Sequence, residues 1–177
     1  MVACGTGEVA IRLSARGATR TRSTTATKQN IEEQFIPPSF IVDNLTKVCE
    51  NVLQPIRDEF GSFSPNSGYR CDALNKAVKG AKNSEHTKGK AADITIYKQG
   101  KNITGEVFFW LLENKSTVLW TKIIWEYGNT FCPDWLHIEF VEEEQQQRKV
   151  LVKGAGPYLD YYTSSYYTSH KKENLIK

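Results

Sequence analysis

No stretch of this chain stays apolar for the roughly 20 residues that a bilayer-crossing helix needs, so no membrane span is expected. No export leader is visible either. Met1-Val2-Ala3-Cys4-Gly5 looks like the end of a lipoprotein cleavage site, but no apolar segment precedes it, and that reading is rejected. Charge of one sign is in short supply: 23 Lys and Arg stand against 20 Asp and Glu, a net charge of +3. That surplus is too small to argue for nucleic acid. Cysteine is sparse. Cys4, Cys49, Cys71 and Cys132 form neither a C-x-x-C pair nor a dense disulfide framework, so free and mostly buried thiols are expected. Histidine is scarcer still: His86, His137 and His170 are the only three.

What remains is an ordinary amount of core-forming material. The chain has 177 residues, 40% of them hydrophobic, which suits one domain with tails. Residues 1–36 read as a basic, flexible N-terminal tail. Within residues 1–30, Arg12, Arg16, Arg20, Arg22 and Lys28 face Glu8 alone, and Val9, Ile11 and Leu13 alternate as one short strand would. Residues 37–153 read as the compact domain. Residues 154–177, rich in Tyr, Ser and Lys, show no clean period and read as a second tail, with polymer binding through stacked tyrosines as the sharper alternative.

Inside the compact region, Ile41, Leu45, Val48, Cys49, Val52 and Ile56 recur at helical spacing, with Ser39 as cap and Pro55 as a kink or early stop. A second helix is expected from Asp72 to Lys79, with Asp72 as N-cap and Gly80 as stop. A third follows a Thr104 cap. Strands are expected over 92–97, 122–127, 135–141 and 149–152. Helices first, then strands interrupted by one helix, predict an α+β fold with a mostly antiparallel sheet.

A catalytic zinc takes three protein ligands and leaves one position open. Two of the three histidines sit in runs that also carry an aspartate: Ser84-Glu85-His86-Thr87-Lys88-Gly89-Lys90-Ala91-Ala92-Asp93, and Asp134-Trp135-Leu136-His137-Ile138-Glu139-Phe140. His170 lies in the polar tail and is a poor candidate. In the second run Leu136, Ile138 and Phe140 form an apolar face, and Trp135, His137 and Glu139 the other. Asp93 likewise opposes Ile94 and Ile96. Two neighbouring strands would then present Asp93 and His137 side by side, with His86 arriving from the loop before and Gly89 turning the chain back. The reading is therefore one zinc held by His86, Asp93 and His137. Asp134, in the loop entering the strand, is the expected proton acceptor. Arg70 is the expected anion or oxyanion partner.

These residues resemble a known family. Ser67-Gly68-Tyr69-Arg70, Leu74-Asn75, Val78, then Asn83-Ser84-x-His86-x-x-Gly89-x-Ala91-Ala92-Asp93-Ile94 and Asp134-x-x-His137 look like the zinc D-Ala-D-Ala carboxypeptidase family. That family includes phage endolysins that cut the L-Ala-D-Glu bond of peptidoglycan stems. The likeness runs over roughly residues 38 to 152. It implies His86, Asp93 and His137 as zinc ligands, Asp134 as general base, Arg70 as the residue binding substrate or transition state, and Ser84 as a substrate-pocket residue. It also implies the fold shared with Hedgehog signalling domains, and a monomer acting on peptidoglycan stem peptides. Dipeptidase-type members carry glutamate where Asp134 stands, whereas aspartate resembles the carboxypeptidase and endolysin branches. Cys71 and Cys132 are departures, and a bond between them is one arrangement they allow. The missing leader fits a lysin released by a holin, or a chain cut from a longer precursor. Against the peptidase reading stands a non-catalytic, metal-binding domain of the same fold that recognises wall peptides or a protein partner.

Overall fold

The computed structural model describes residues 23–144 and 147–172. Most of the basic tail, including the strand expected at Val9 to Leu13, lies outside the described residues.

The last part of the expected N-terminal tail is docked. A short helix, α1 (Thr24–Lys28), is capped by Ser23, whose hydroxyl accepts from Ala26 N. Ala26 is fully buried and joins Ile41, Leu45, Tyr69, Cys71 and Leu74 in a small second core. A 3-10 turn (Glu32–Phe35) then places Gln34 completely out of solvent.

The first long helix runs as α2 (Ser39–Val48), a wide π turn (Cys49–Leu53) and α3 (Gln54–Phe60). Its expected apolar face is buried in full. Pro55 neither stops nor breaks it. The π turn ends at Leu53, and the proline falls in the first turn of α3, where a missing N–H costs little. The second helix, α4 (Asp72–Ala77), is shorter than expected and is capped one residue earlier, by Cys71, whose Sγ accepts from Leu74 N.

The expected strand over 92–97 divides. β1 covers Ala91–Ile94, and Tyr97 turns away into a small hairpin of β2 (Tyr97–Lys98) and β3 (Lys101–Asn102). Ile96 cannot continue the ladder because its N–H goes to Thr104 Oγ1 and its carbonyl to Ile103 N. Helix α5 (Thr104–Glu113) therefore starts with Thr104 already inside it. Then come β4 (Lys122–Glu126), β5 (Trp135–Glu139), β6 (Lys149–Lys153), β7 (Tyr158–Asp160) and α6 (Ser165–Lys172).

The main sheet has the order β1-β5-β4-β6-β7. Three of its pairings are antiparallel, and β4 with β6 is parallel. The fold is thus α+β as expected, with a mixed sheet. One face of that sheet is apolar: Ala92, Ile94, Leu136, Ile138, Ile123, Trp125, Val150 and Val152 are all buried against Val107, Phe108 and Leu111 of α5 and the face of α2–α3. Each large side chain so buried contributes about 1.5–3 kcal/mol. That leaves the opposite face free for chemistry.

The C-terminal segment also departs from the expected tail. Tyr161 and His170 are buried, and His170 Nδ1 meets Tyr161 Oη at 2.9 Å. Phe108 packs edge-on to Trp125 and Tyr161 with ring centres 5.1 and 5.0 Å apart, and Phe109 packs edge-on to His170. The tyrosines that looked like a binding stack in the sequence are partly core. His170 Nε2 also donates to Thr130 O, tying α6 to the β4–β5 loop. Cys71 and Cys132 are free thiols, so they are not bonded to each other.

Candidate metal centre

His86 sits in a 3-10 turn (Glu85–Lys88) that Ser84 caps by accepting from His86 N at 3.4 Å. The turn ends at Gly89, whose φ of +69° is left-handed. A Cβ there would lie 2.8 Å from Ile41 O, so the position takes glycine for two reasons. The chain then enters β1 and delivers Asp93 to the non-core face. In the ladder Asp93 stands directly opposite His137. The side-by-side arrangement expected from strand alternation is the one observed.

Each histidine has one nitrogen committed elsewhere. His86 Nδ1 lies 2.6 Å from Gly68 O, which can only accept, so Nδ1 carries the proton and Nε2 keeps its lone pair. His137 Nε2 donates to Glu139 Oε1 at 2.9 Å, which frees Nδ1. Those two free nitrogens and Asp93 Oδ1 converge. His86 Nε2 lies 3.1 Å from both His137 Nδ1 and Asp93 Oδ1, and His137 Nδ1 lies 2.9 Å from Asp93 Oδ1. A tetrahedral zinc with ligands at 2.0–2.1 Å would hold its donor atoms about 3.3 Å apart. Two imidazoles, one carboxylate and a hydrogen-bonded outer shell are a donor set that fits a divalent metal.

The charges follow from this packing. Burial pushes the His86 ring down, against the pull of Asp93. Burial alone would raise the Asp93 carboxyl, but the two histidines outweigh it and hold it well below the usual carboxylate range. Burial would lower His137 too, yet its bonds to Asp93 and Glu139 prevail and lift it to about 9. A proton between His137 and Asp93 thus stands where a cation would. Glu139, which has only its alternation to mark it in the sequence, is itself held by Lys122 Nζ at 2.7 Å.

The segment Ser67–Arg70 is a strap over this cluster. Ser67 makes an isolated bridge to Asp93, Gly68 O accepts a hydrogen bond from His86 Nδ1, and Arg70 N donates to His86 O. Gln34 clamps the strap from behind, donating to Tyr69 O and accepting from Cys71 N, both at 2.8 Å. Nothing in the sequence marked Gln34, which fell in the expected tail.

The model of the Peptidase M15 family matches residues 18–107, just over half of the chain. The chain belongs to the Peptidase M15 family. No curated protein matches it. The match includes the strap, His86 and Asp93 and ends before His137, so the third member of the cluster comes from the fold.

Around the cluster of this M15 peptidase fold lies a cleft of about 410 Å³. Its floor is the polar face of the sheet: Asp93, His137, Glu139, Lys122, Ile124 and Glu126. Arg70 and Ser84 also line it. Among the described residues, the Arg70 Nε is buried with no hydrogen-bond partner. Asp134 does not join them. It is exposed, is not among the residues lining the cleft, and has its backbone fixed by Asp134 N to Glu126 O and by Thr95 Oγ1 to Asp134 O. It lies in the loop just before β5, where strand alternation does not set its direction.

Proposed function

We propose that this chain is a zinc-dependent peptidase that hydrolyses peptide bonds in peptidoglycan stem peptides, of the D-Ala-D-Ala carboxypeptidase or L-Ala-D-Glu endopeptidase type. The observation that carries this reading is the convergence of His86 Nε2, His137 Nδ1 and Asp93 Oδ1 on one point of a cleft, each ring fixed by its other nitrogen. Membership of the Peptidase M15 family supports it. Zinc bound there supplies Lewis acidity and lowers the pKa of water to about 7.

The chain's own residues supply the rest. Gly68 and Glu139 hold the two imidazoles in the tautomers that leave a nitrogen free. Arg70 offers a guanidinium with a buried, unpartnered Nε to a substrate carboxylate or to the charge that develops on the scissile carbonyl. Ser84 fixes the turn that carries His86 and faces the substrate from the cleft wall.

Purified sacculi incubated with the protein, with and without chelator, test the reading by mass spectrometry of what is released. Free D-Ala identifies a carboxypeptidase, and a new D-Glu amino terminus an endopeptidase. A protein that binds zinc but releases no chelator-sensitive fragment is a binding domain instead.

A further inference from the structure

The tyrosines of the C-terminal segment are partly core, but the first of them is not. Tyr158 in β7 is 52% exposed and lines the cleft. The strand register gives its neighbours. Trp135, Glu126, Lys153 and Tyr158 stand opposite one another across β5, β4, β6 and β7. The cluster belongs to a parallel row, in which Asp93, His137, Ile124 and Leu151 stand opposite one another. The two rows are two residues apart on each strand they share, so they lie on one face, roughly 7 Å from each other.

The second row is built as a fixed aromatic wall. Tyr127, just past the end of β4, has a φ of +54°, a left-handed value that is costly for an aromatic residue. Its ring stands 5.3 Å from the ring of Trp135, between centres. Lys153 Nζ reaches two rings, 5.6 Å from the centre of Tyr127 and 5.4 Å from that of Tyr158. The same Nζ donates to Gly154 O and Gly156 O at 2.9 and 2.5 Å, which pins it there. Tyr127, Trp135 and Tyr158 all line the cleft, and Tyr127 remains 39% exposed. Strain that holds an exposed ring in a cleft is a mark of a binding surface.

We propose that this wall binds a sugar ring of the glycan strand that carries the stem peptide. The proposal rests on the peptidase reading above and narrows it to the bond beside the glycan. A sugar ring has C–H faces that pack on aromatic rings and hydroxyl edges that need polar partners. Trp135, Tyr127 and Tyr158 meet the faces, and the Glu126 carboxylate and the Tyr158 hydroxyl meet the edges. A substrate ammonium fits poorly, because Lys153 already takes the place of a cation on both tyrosines and would repel it. Spacing then selects the bond. An extended peptide advances about 3.3–3.6 Å per residue, so the roughly 7 Å between rows spans about two residue lengths. L-Ala and the lactyl group that joins it to the sugar fill that span when the L-Ala-D-Glu bond lies at the cluster. The D-Ala-D-Ala bond sits at the far end of the stem, beyond that reach.

Two substrates with the same stem peptide, one attached to its disaccharide and one free, test the wall in zinc-loaded protein. Wild type should favour the disaccharide form by roughly tenfold in kcat/KM, through KM. In Tyr158→Leu that preference should vanish, and Tyr158→Phe, which keeps the ring, should retain most of it. Equal kcat/KM for the two substrates in wild type overturns the proposal. So does a preference that Y158L leaves intact, or release of D-Ala in place of a new D-Glu amino terminus. Wild type that cleaves neither substrate overturns the peptidase reading instead, and binding then judges the wall alone. Peptide-free glycan strands titrated into chelated protein should give a saturable change in tryptophan fluorescence that Y158L abolishes. No saturable change in wild type, or one that Y158L leaves intact, rejects the wall.

Discussion

The two halves of the metal cluster are built from different materials. His86 and Asp93 come from one contiguous segment, and what holds them is backbone: the Gly68 carbonyl on the ring, the Ser67 bridge beside Asp93, the Ser84 cap and the Gly89 turn. His137 comes from the middle of the sheet, and what holds it is charge: Glu139 on the ring and Lys122 on Glu139. The first half is a templated frame that only a change of chain conformation can disturb. The second is a relay of ionisable groups that responds to single charge changes and to pH. Backbone support is cheap to encode locally, by glycine and cap residues at fixed spacing. A charged relay across strands needs the sheet register first.

The largest effect should ignore the difference. His86→Ala and His137→Ala each remove one of three donors, and zinc content measured after dialysis should fall to background in both. Zinc retained in one of them would mean that this half is dispensable. Next come the supports, where the halves should part. Glu139→Gln should weaken zinc binding by about 10–100-fold, measured by competition with a chelator. Gln34→Ala leaves Tyr69 O and Cys71 N without their partner, which should cost about 1–3 kcal/mol of stability in denaturant titration while zinc affinity barely moves. If Q34A weakens zinc as much as E139Q, the frame is not rigid. Gly89→Ala is milder. Left-handed backbone costs an L-residue about 1–2 kcal/mol, to which the approach of Ile41 O adds strain, and the melting temperature should drop accordingly.

The same contrast explains what could be read in advance. His86, Asp93, Gly89 and Ser84 were legible because a turn, a cap and a strand start lie within ten residues. His137 was legible through alternation, and the ladder sets it opposite Asp93. Glu126 and Glu139 were written in the sequence as strand residues, but burial and partnership depend on which strands adjoin, and local pattern does not carry that. Gln34 and His170 were hidden for a related reason. Each lies in a polar stretch that looks too weak to fold alone and is ordered by docking: Gln34 on the strap, and His170 among Phe109, Trp125 and Tyr161. The N-caps fall at Cys71 and Ile103, one residue before the expected Asp72 and Thr104, because a thiol took the first cap and Asn102 and Ile96 claimed the second hydroxyl.

The smallest effect isolates the relay from the frame. In metal-free protein His137 titrates at about 9, against 6.5 for an unperturbed ring. A raised folded-state value means that the protonated ring stabilises the fold. That contribution is fully present below about pH 6.5 and is lost as pH climbs through about 9. Zinc needs the same nitrogen free, so protons and metal compete for it, and metal binding strengthens as pH rises. The melting temperature of chelated protein should therefore decline between pH 6.5 and 9 while that of zinc-saturated protein holds or rises, so the gap between them widens. Glu139→Gln should shrink the decline in the chelated protein, because one of the two carboxylates that lift His137 is gone. A gap that stays constant across this window would mean that the second half is as insensitive to charge as the first, and the comparison between them would fail.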